Sequence, residues 1–118
     1  MEFLSLQPFV PSGPDYEKAR EFFKAIGFIE EWEQDGYTGF VNQQCRFILQ
    51  RFNDESFAQN MMISVGVPDA KAFYEACREK GIEKKFGVRI NPPVHQPYGL
   101  EVNVIDPAGV CWHVVQSR

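Results

Sequence analysis

The stretch Asp15-Tyr16-Glu17-Lys18-Ala19-Arg20-Glu21-Phe22-Phe23-Lys24-Ala25-Ile26-Gly27-Phe28 decides the fold, because the chain repeats its pattern 54 positions on. There it reads Asp69-Ala70-Lys71-Ala72-Phe73-Tyr74-Glu75-Ala76-Cys77-Arg78-Glu79-Lys80-Gly81-Ile82. Each copy opens with an acid, which suits the positive end of a helix dipole, and closes on a glycine, which suits a left-handed cap. In the first copy Ala19, Phe22, Phe23 and Ile26 recur at helical spacing. An apolar, strand-like run precedes each helix, and further strand-like runs follow it. Two copies of one unit in a short chain imply a pseudo-symmetric fold with a cleft where the copies face each other.

Residues 3–10 read as the first strand, which Pro8 places at a sheet edge or ends early. Pro11-Ser12-Gly13-Pro14 is a loop before the first helix. Strands over 28–33, 37–41 and 45–52 follow, joined by turns at Gln34-Asp35-Gly36 and Asn42-Gln43-Gln44. Residues 53–60 are a polar connector. The second half repeats the order, with a strand over 61–67, a helix over 69–80 and a strand over 82–91. An irregular Pro-rich loop spans 92–99, and strands over 100–105 and 110–116 flank the turn Asp106-Pro107-Ala108-Gly109. The expected fold is α+β. Residues 1–118 form one domain of two βαβββ units, 1–57 and 58–118. Phe, Trp, Ile and Val occupy both parities of the strands, so both faces of each sheet should be buried. An incompletely closed eight-stranded barrel meets that demand.

The bulk properties exclude several classes. Apolar content of 44% with eleven Phe supports a sizeable core and leaves some rings to line a pocket. The net charge of −4, with no basic run beyond Glu83-Lys84-Lys85, argues against a nucleic-acid surface. No stretch approaches the roughly 18 apolar residues of a membrane span, and no charged-then-apolar leader is visible. Cys45, Cys77 and Cys111 are an odd number without close spacing. They fit reduced thiols in a cytoplasm rather than a disulfide frame or a zinc site.

The segment Tyr98-Gly99-Leu100-Glu101-Val102-Asn103-Val104-Ile105-Asp106-Pro107-Ala108-Gly109-Val110-Cys111-Trp112-His113 is the most specific. With Phe22-Phe23-Lys24-Ala25-Ile26-Gly27-Phe28, it resembles the vicinal oxygen chelate superfamily of glyoxalase I, extradiol dioxygenases and bleomycin-resistance proteins. The resemblance covers essentially the whole chain. It implies four inward positions, on the first and last strands of each unit, where metal-using members place His or Glu. Here they fall on Gln7 (or Ser5), Phe47 (with Gln50 an alternative), Met62 and His113. Only His113 is a good ligand for a divalent transition metal, and one neutral imidazole does not hold such an ion against water. No metal and no cofactor are therefore expected.

The remaining polar candidates are few. His95 lies in the Pro-rich loop, where a cleft mouth would place binding residues. Glu101 is a candidate neighbour of His113 across a hairpin, on a face the sequence leaves open. Cys111 and His113, two apart on a strand, share a face, but no third group is visible beside them, and small apolar packing accounts for Cys111. The aromatics Trp32, Phe40, Phe47, Tyr98 and Trp112 could line a pocket for a flat ligand.

Within the superfamily these features are closest to the metal-free, bleomycin-resistance-like binding proteins. The implied function is sequestration of a flat aromatic or drug-like small molecule in a cleft at a homodimer interface, with no catalytic residues. The expected ligand contacts are Gln7, Trp32, Phe40, Phe47, Met62, His95, Tyr98, Trp112 and His113. The acidic balance suits a cationic or neutral ligand. The competing readings are a metal-dependent lyase, isomerase or dioxygenase, and an interaction module with a filled core.

Overall fold

The computed structural model of the protein describes residues 1–118. The first half runs β1 (Phe9–Pro11), α1 (Tyr16–Ala25), β2 (Ile29–Gln34), β3 (Tyr37–Asn42), β4 (Cys45–Gln50) and α2 (Glu55–Gln59). The second runs β5 (Met62–Gly66), α3 (Ala70–Glu79), α4 (Ile82–Phe86), β6 (Arg89–Ile90), β7 (Val94–Gln96), β8 (Gly99–Ile105) and β9 (Cys111–Ser117). One sheet has the order β1-β4-β3-β2. The other has the order β5-β9-β8-β6, with β7 also on β8. In each sheet the first strand lies parallel to the last, Phe9 opposite Ile48 and Met62 opposite Cys111. This is the expected α+β arrangement of two βαβββ units, and the two sheets do not close into a full barrel. No helix is long and apolar enough to cross a membrane.

Each of the first three helices starts on an aspartate whose carboxylate accepts from a backbone N–H three residues on. Asp15 takes Lys18, Asp54 takes Phe57 and Asp69 takes Ala72, at 2.9–3.0 Å. Such a cap contributes about 1 kcal/mol to a helix that would otherwise leave those donors unpaired. The buried stripe of α1 then enters the core. The Phe23 ring lies 4.9 Å from Phe47 of β4 and 5.4 Å from Trp112 of β9. Phe22 meets Phe86 of α4 at 5.7 Å. Both sheets thus turn one face toward a single core of nineteen residues.

Four expectations are corrected. The segment 82–91 is not one strand. Glu83, Lys84 and Lys85 are good helix formers, and Ile82 and Phe86, four apart, bury together in α4. Left-handed Gly81 and Gly87 bracket that turn of helix, leaving only Arg89–Ile90 to pair. The connector 53–60 holds α2, capped by Asp54 and anchored by buried Ala58. The Pro-rich loop contains β7, because Pro92 and Pro93 interrupt the strand without preventing pairing at Val94–Gln96. Finally, the apolar core contacts of each sheet lie on its helix side. The opposite faces are open, and the first strand is short. Ahead of it, Phe3, Leu4 and Leu6 are 88%, 88% and 92% exposed and pack on nothing in their own chain.

Candidate functional site

Strand β9 shows how the site is made. Its residues alternate between faces, so Trp112 and Val114 enter the core, whereas Cys111 and His113 point to the open side. Neighbouring strands bring Met62 opposite Cys111, Ser64 opposite His113 and Asn103 opposite His113. Glu101 reaches diagonally across to the His113 ring, where its Oε2 lies 2.9 Å from Nδ1. The Tyr98 hydroxyl donates to Oε1 of the same carboxylate. On the far side of the imidazole, Nε2 lies 3.5 Å from Cys111 Sγ. Tyr98, Glu101, His113 and Cys111 thus form one continuous polar chain on an otherwise mixed surface.

The electrostatics follow from this chain. Burial pushes Glu101 up, but the hydrogen bonds from Tyr98 and His113 outweigh it and hold the carboxyl below its ordinary value. An ionised carboxylate only accepts, so His113 Nδ1 must carry the proton it shares with Glu101. In a neutral ring Nε2 is then an acceptor facing the thiol. Hydrogen bonding to Glu101, with some burial, raises the Tyr98 hydroxyl. Burial, reinforced by the charges of Glu101 and Asp106, raises the Cys111 thiol. The side-chain oxygen of Asn103 is buried beside this group without a partner.

The open face of the first sheet is aromatic instead. The Phe9 and Tyr37 rings meet edge to face at 6.1 Å, and Gln50 pairs opposite Tyr37. The Trp32 indole lies directly on Gly39, where a Cβ would come within 2.0 Å of Nε1. That glycine is needed for the close approach of the ring.

The structure brings only some of the sequence-predicted residues together. Tyr98, Met62 and His113 share the open face of the second sheet, and Trp32 stands on that of the first. Phe40, Phe47 and Trp112 are in the core, with 0%, 3% and 4% exposure, and their rings pack on one another and on Phe23. The expectation that Phe47 and His113 face one cleft is therefore corrected. It matched Cys45 to Cys111 across the repeat. The rung that closes the second hairpin is Asp106 with Val110, whose N···O separation is 3.0 Å. Val110 is thus the counterpart of Cys45, Trp112 that of Phe47 and Ile48 that of His113. A slip of one residue inverts the face. His95 pairs with Leu100, on the face opposite to that of Val94 and Glu101, and lies away from His113. Gln7 precedes β1 and is half-buried.

The sequence left two features incomplete. One is Glu101, a candidate neighbour of His113 whose face the sequence did not fix. A diagonal contact between adjacent strands is within reach of long side chains once the register is known. The other is Asp106, which anchors the last hairpin. Its Oδ1 accepts from Ala108, Gly109 and Val110, and its Oδ2 accepts from the Trp112 indole at 2.9 Å. Burial pushes Asp106 up to about 6 against these four hydrogen bonds. A separate hollow of about 310 Å³ lies where the two units meet, lined by Ile26, Phe28, Val65, Phe73, Trp112 and Val114 among others. Nine of its thirteen lining residues are hydrophobic, so it could accept an apolar group, but none of the polar chain reaches it.

No protein-family model matches the chain, and no curated protein matches it in sequence. Solved structures match it along its full length. The bleomycin-binding protein of bleomycin-producing Streptomyces verticillus, in complex with copper(II)-bleomycin, is 21% identical with a TM-score of 0.81. That match covers 100% of this chain and 99% of the other. The bleomycin resistance determinant encoded on transposon Tn5 is 21% identical with a TM-score of 0.83, covering 98% and 99%. TnmS3, an antibiotic-binding protein from Streptomyces sp. CB03234, is 20% identical with a TM-score of 0.79, covering 100% and 99%. The chain has the fold of these bleomycin-binding proteins and of glyoxalase/bleomycin resistance/dioxygenase domains.

Proposed function

We propose that the protein is a metal-independent binding protein of the bleomycin-resistance type, which sequesters a flat aromatic or drug-like small molecule between two copies of the chain. One geometric observation carries this reading. The two sheets share a core, so their open faces point away from each other, and Trp32 and His113 of one chain cannot close on one ligand. A second copy supplies the missing wall. The aromatic face of one first sheet then opposes the polar chain of the partner's second sheet, a pairing that would stack a ring and orient its polar groups. Phe3, Leu4 and Leu6 support a homodimer too, because such side chains stabilise by roughly 1.5–3 kcal/mol each when covered. Full-length likeness to proteins solved with bleomycin supports the ligand class.

Metal independence rests on the donor set. Phe47 is in the core, Met62 offers a thioether and Gln7 an amide, which leaves His113 as the one strong nitrogen donor of the four positions. The net charge of −4 and the ionised Glu101 favour a cationic or neutral ligand. The three free thiols suit the cytoplasm, and the two units, 1–57 and 58–118, act as one domain.

Sedimentation and calorimetry with bleomycin and with planar aromatic antibiotics test the proposal. The expected result is a species of twice 13.6 kDa that binds a ligand and quenches Trp32 fluorescence, an effect lost in Trp32→Phe and kept in Trp112→Phe. A monomer that binds none of them, or a tightly held transition metal in each chain, would overturn it.

A further inference from the structure

We propose that Cys111 is a nucleophile, activated by His113 and positioned by Glu101, which adds to the electron-poor double bond of an α,β-unsaturated carbonyl compound. The geometry is that of a thiol, a base and an orienting acid in line. Sγ lies 3.5 Å from Nε2, Nδ1 lies 2.9 Å from Glu101 Oε2, and Tyr98 holds the other carboxylate oxygen. Nucleophilic sites are recognised by this order of groups rather than by sequence position. Here two members are two residues apart on β9, and the third comes diagonally from β8.

The resting state fits a base-assisted mechanism. Burial and the neighbouring charges of Glu101 and Asp106 keep the Cys111 thiol protonated at neutral pH. It therefore needs a base at the moment of attack, and the unprotonated Nε2 is in place. Glu101, only 4% exposed, then faces the imidazolium and stabilises it. In the step itself the Sγ–H proton passes to Nε2 while sulfur bonds to the β-carbon. The π electrons move to the carbonyl oxygen as an enolate, and the proton returns from Nε2 to the α-carbon. One S–H and one C=C π bond are exchanged for one S–C and one C–H bond, with no leaving group and no co-reactant.

Conjugate addition fits this face better than acyl transfer. The backbone N–H groups of β8 and β9 lie in the sheet plane and are spent on its ladders, so none is aimed at a tetrahedral oxyanion above the sulfur. The exposed thioether side chain of Met62, opposite Cys111, offers a soft apolar surface for the carbon skeleton. Cys111 would react in this way whether or not the face also sequesters a ligand.

The other two cysteines are internal controls: Cys45 is exposed, and Cys77 is buried in α3 with its thiol pushed up to about 11. The test treats the intact protein with limiting N-ethylmaleimide from pH 5.5 to 9 and follows each cysteine by peptide mass spectrometry. At pH 7 Cys111 should react about tenfold faster than Cys45 despite its lower exposure. His113→Ala should slow Cys111 by about 100-fold, the lower end of general-base effects, and leave Cys45 unchanged. Glu101→Gln should slow Cys111 by a smaller factor and again leave Cys45 unchanged, since the imidazolium formed in the step loses its counter-charge. The titratable groups near this ring and thiol are Glu101, Tyr98 through Glu101, and Asp106, which is raised to about 6 and is common to wild type and both variants. A Cys111 rate below that of Cys45, or one that climbs with pH identically in wild type and His113→Ala, would overturn the proposal.

Discussion

Trp112 and His113 are consecutive residues of β9, yet they belong to different chemistries. Trp112 is packed among Phe23, Phe28 and Phe47, and its indole N–H is bonded to Asp106. His113 stands on the open side in a chain of polar groups. The same contrast runs through the first sheet, where Phe40 and Phe47 are sealed while Trp32 lies exposed on Gly39. The closed face places seven aromatic residues in a core of nineteen, where a loss of volume leaves a cavity. The open face carries its polar groups on the second sheet and its rings on the first. An aromatic residue in this chain therefore signals neither core nor site until its face is known.

The contrast should be sharpest in stability. Phe23→Ala, at the centre of the closed face, should cost about 3–5 kcal/mol in urea unfolding. Trp32→Ala, on the open face, should cost under about 1 kcal/mol. Equal losses would mean that the open face is also structural.

Asp106→Asn tests the link between the last hairpin and the closed face, since an amide N–H₂ would confront the Trp112 indole donor. The expected loss at neutral pH is about 1–3 kcal/mol. Its pH dependence has a definite sign. Asp106 is raised to about 6 from 3.8, so the folded state binds this proton more tightly than the unfolded chain does. Wild type should therefore gain stability relative to Asp106→Asn as pH falls from about 6 to about 4, by up to roughly 1.4 kcal/mol per unit. Glu101 and Glu30, whose carboxyls are lowered, run the opposite way and lose stabilisation on acidification. The paired comparison removes them, because both proteins carry them. A relative gain on raising the pH would mean that the four donors outweigh burial.

Gly39→Ala should displace the Trp32 ring, because the new Cβ would occupy its place. The emission of Trp32 should shift, and stability should change by under about 1 kcal/mol, since an exposed ring has room to move. An unchanged spectrum would show that the indole does not rest on Gly39 in solution. Met62→Trp should have the smallest effect on the fold, within about 0.5 kcal/mol for a side chain 70% exposed. It should nonetheless abolish ligand binding on this face. Calorimetry showing full affinity in the variant would move the binding site elsewhere, with the 310 Å³ hollow as the next place to look.

Much of the fold was legible in the sequence because its signals are local. Asp15 and Asp69 mark helix starts, Gly27 and Gly81 mark their ends, and Asp106-Pro107-Ala108-Gly109 marks the last turn. Each acts within four residues of itself, and their order alone yields two βαβββ units. The short helix α4 escaped because Ile82 and Phe86 fit a strand as well as one helical turn, and only burial together against α1 decides between them.

The site was less legible because it depends on register. Side chains on a strand alternate with a period of two, so the difference between a two-residue turn at Gln43-Gln44 and a longer one at Pro107-Ala108-Gly109 inverts which residues face the core. The sequence by itself determined that His113 and Cys111 lie on one face of one strand. Only the tertiary structure decided that Glu101 and Tyr98 reach that face and that Phe47 and Trp112 do not. Those placements are fixed by hydrogen-bonded pairing and by packing between residues up to some 90 positions apart in the chain, such as Phe23 and Trp112, and no local pattern carries that information.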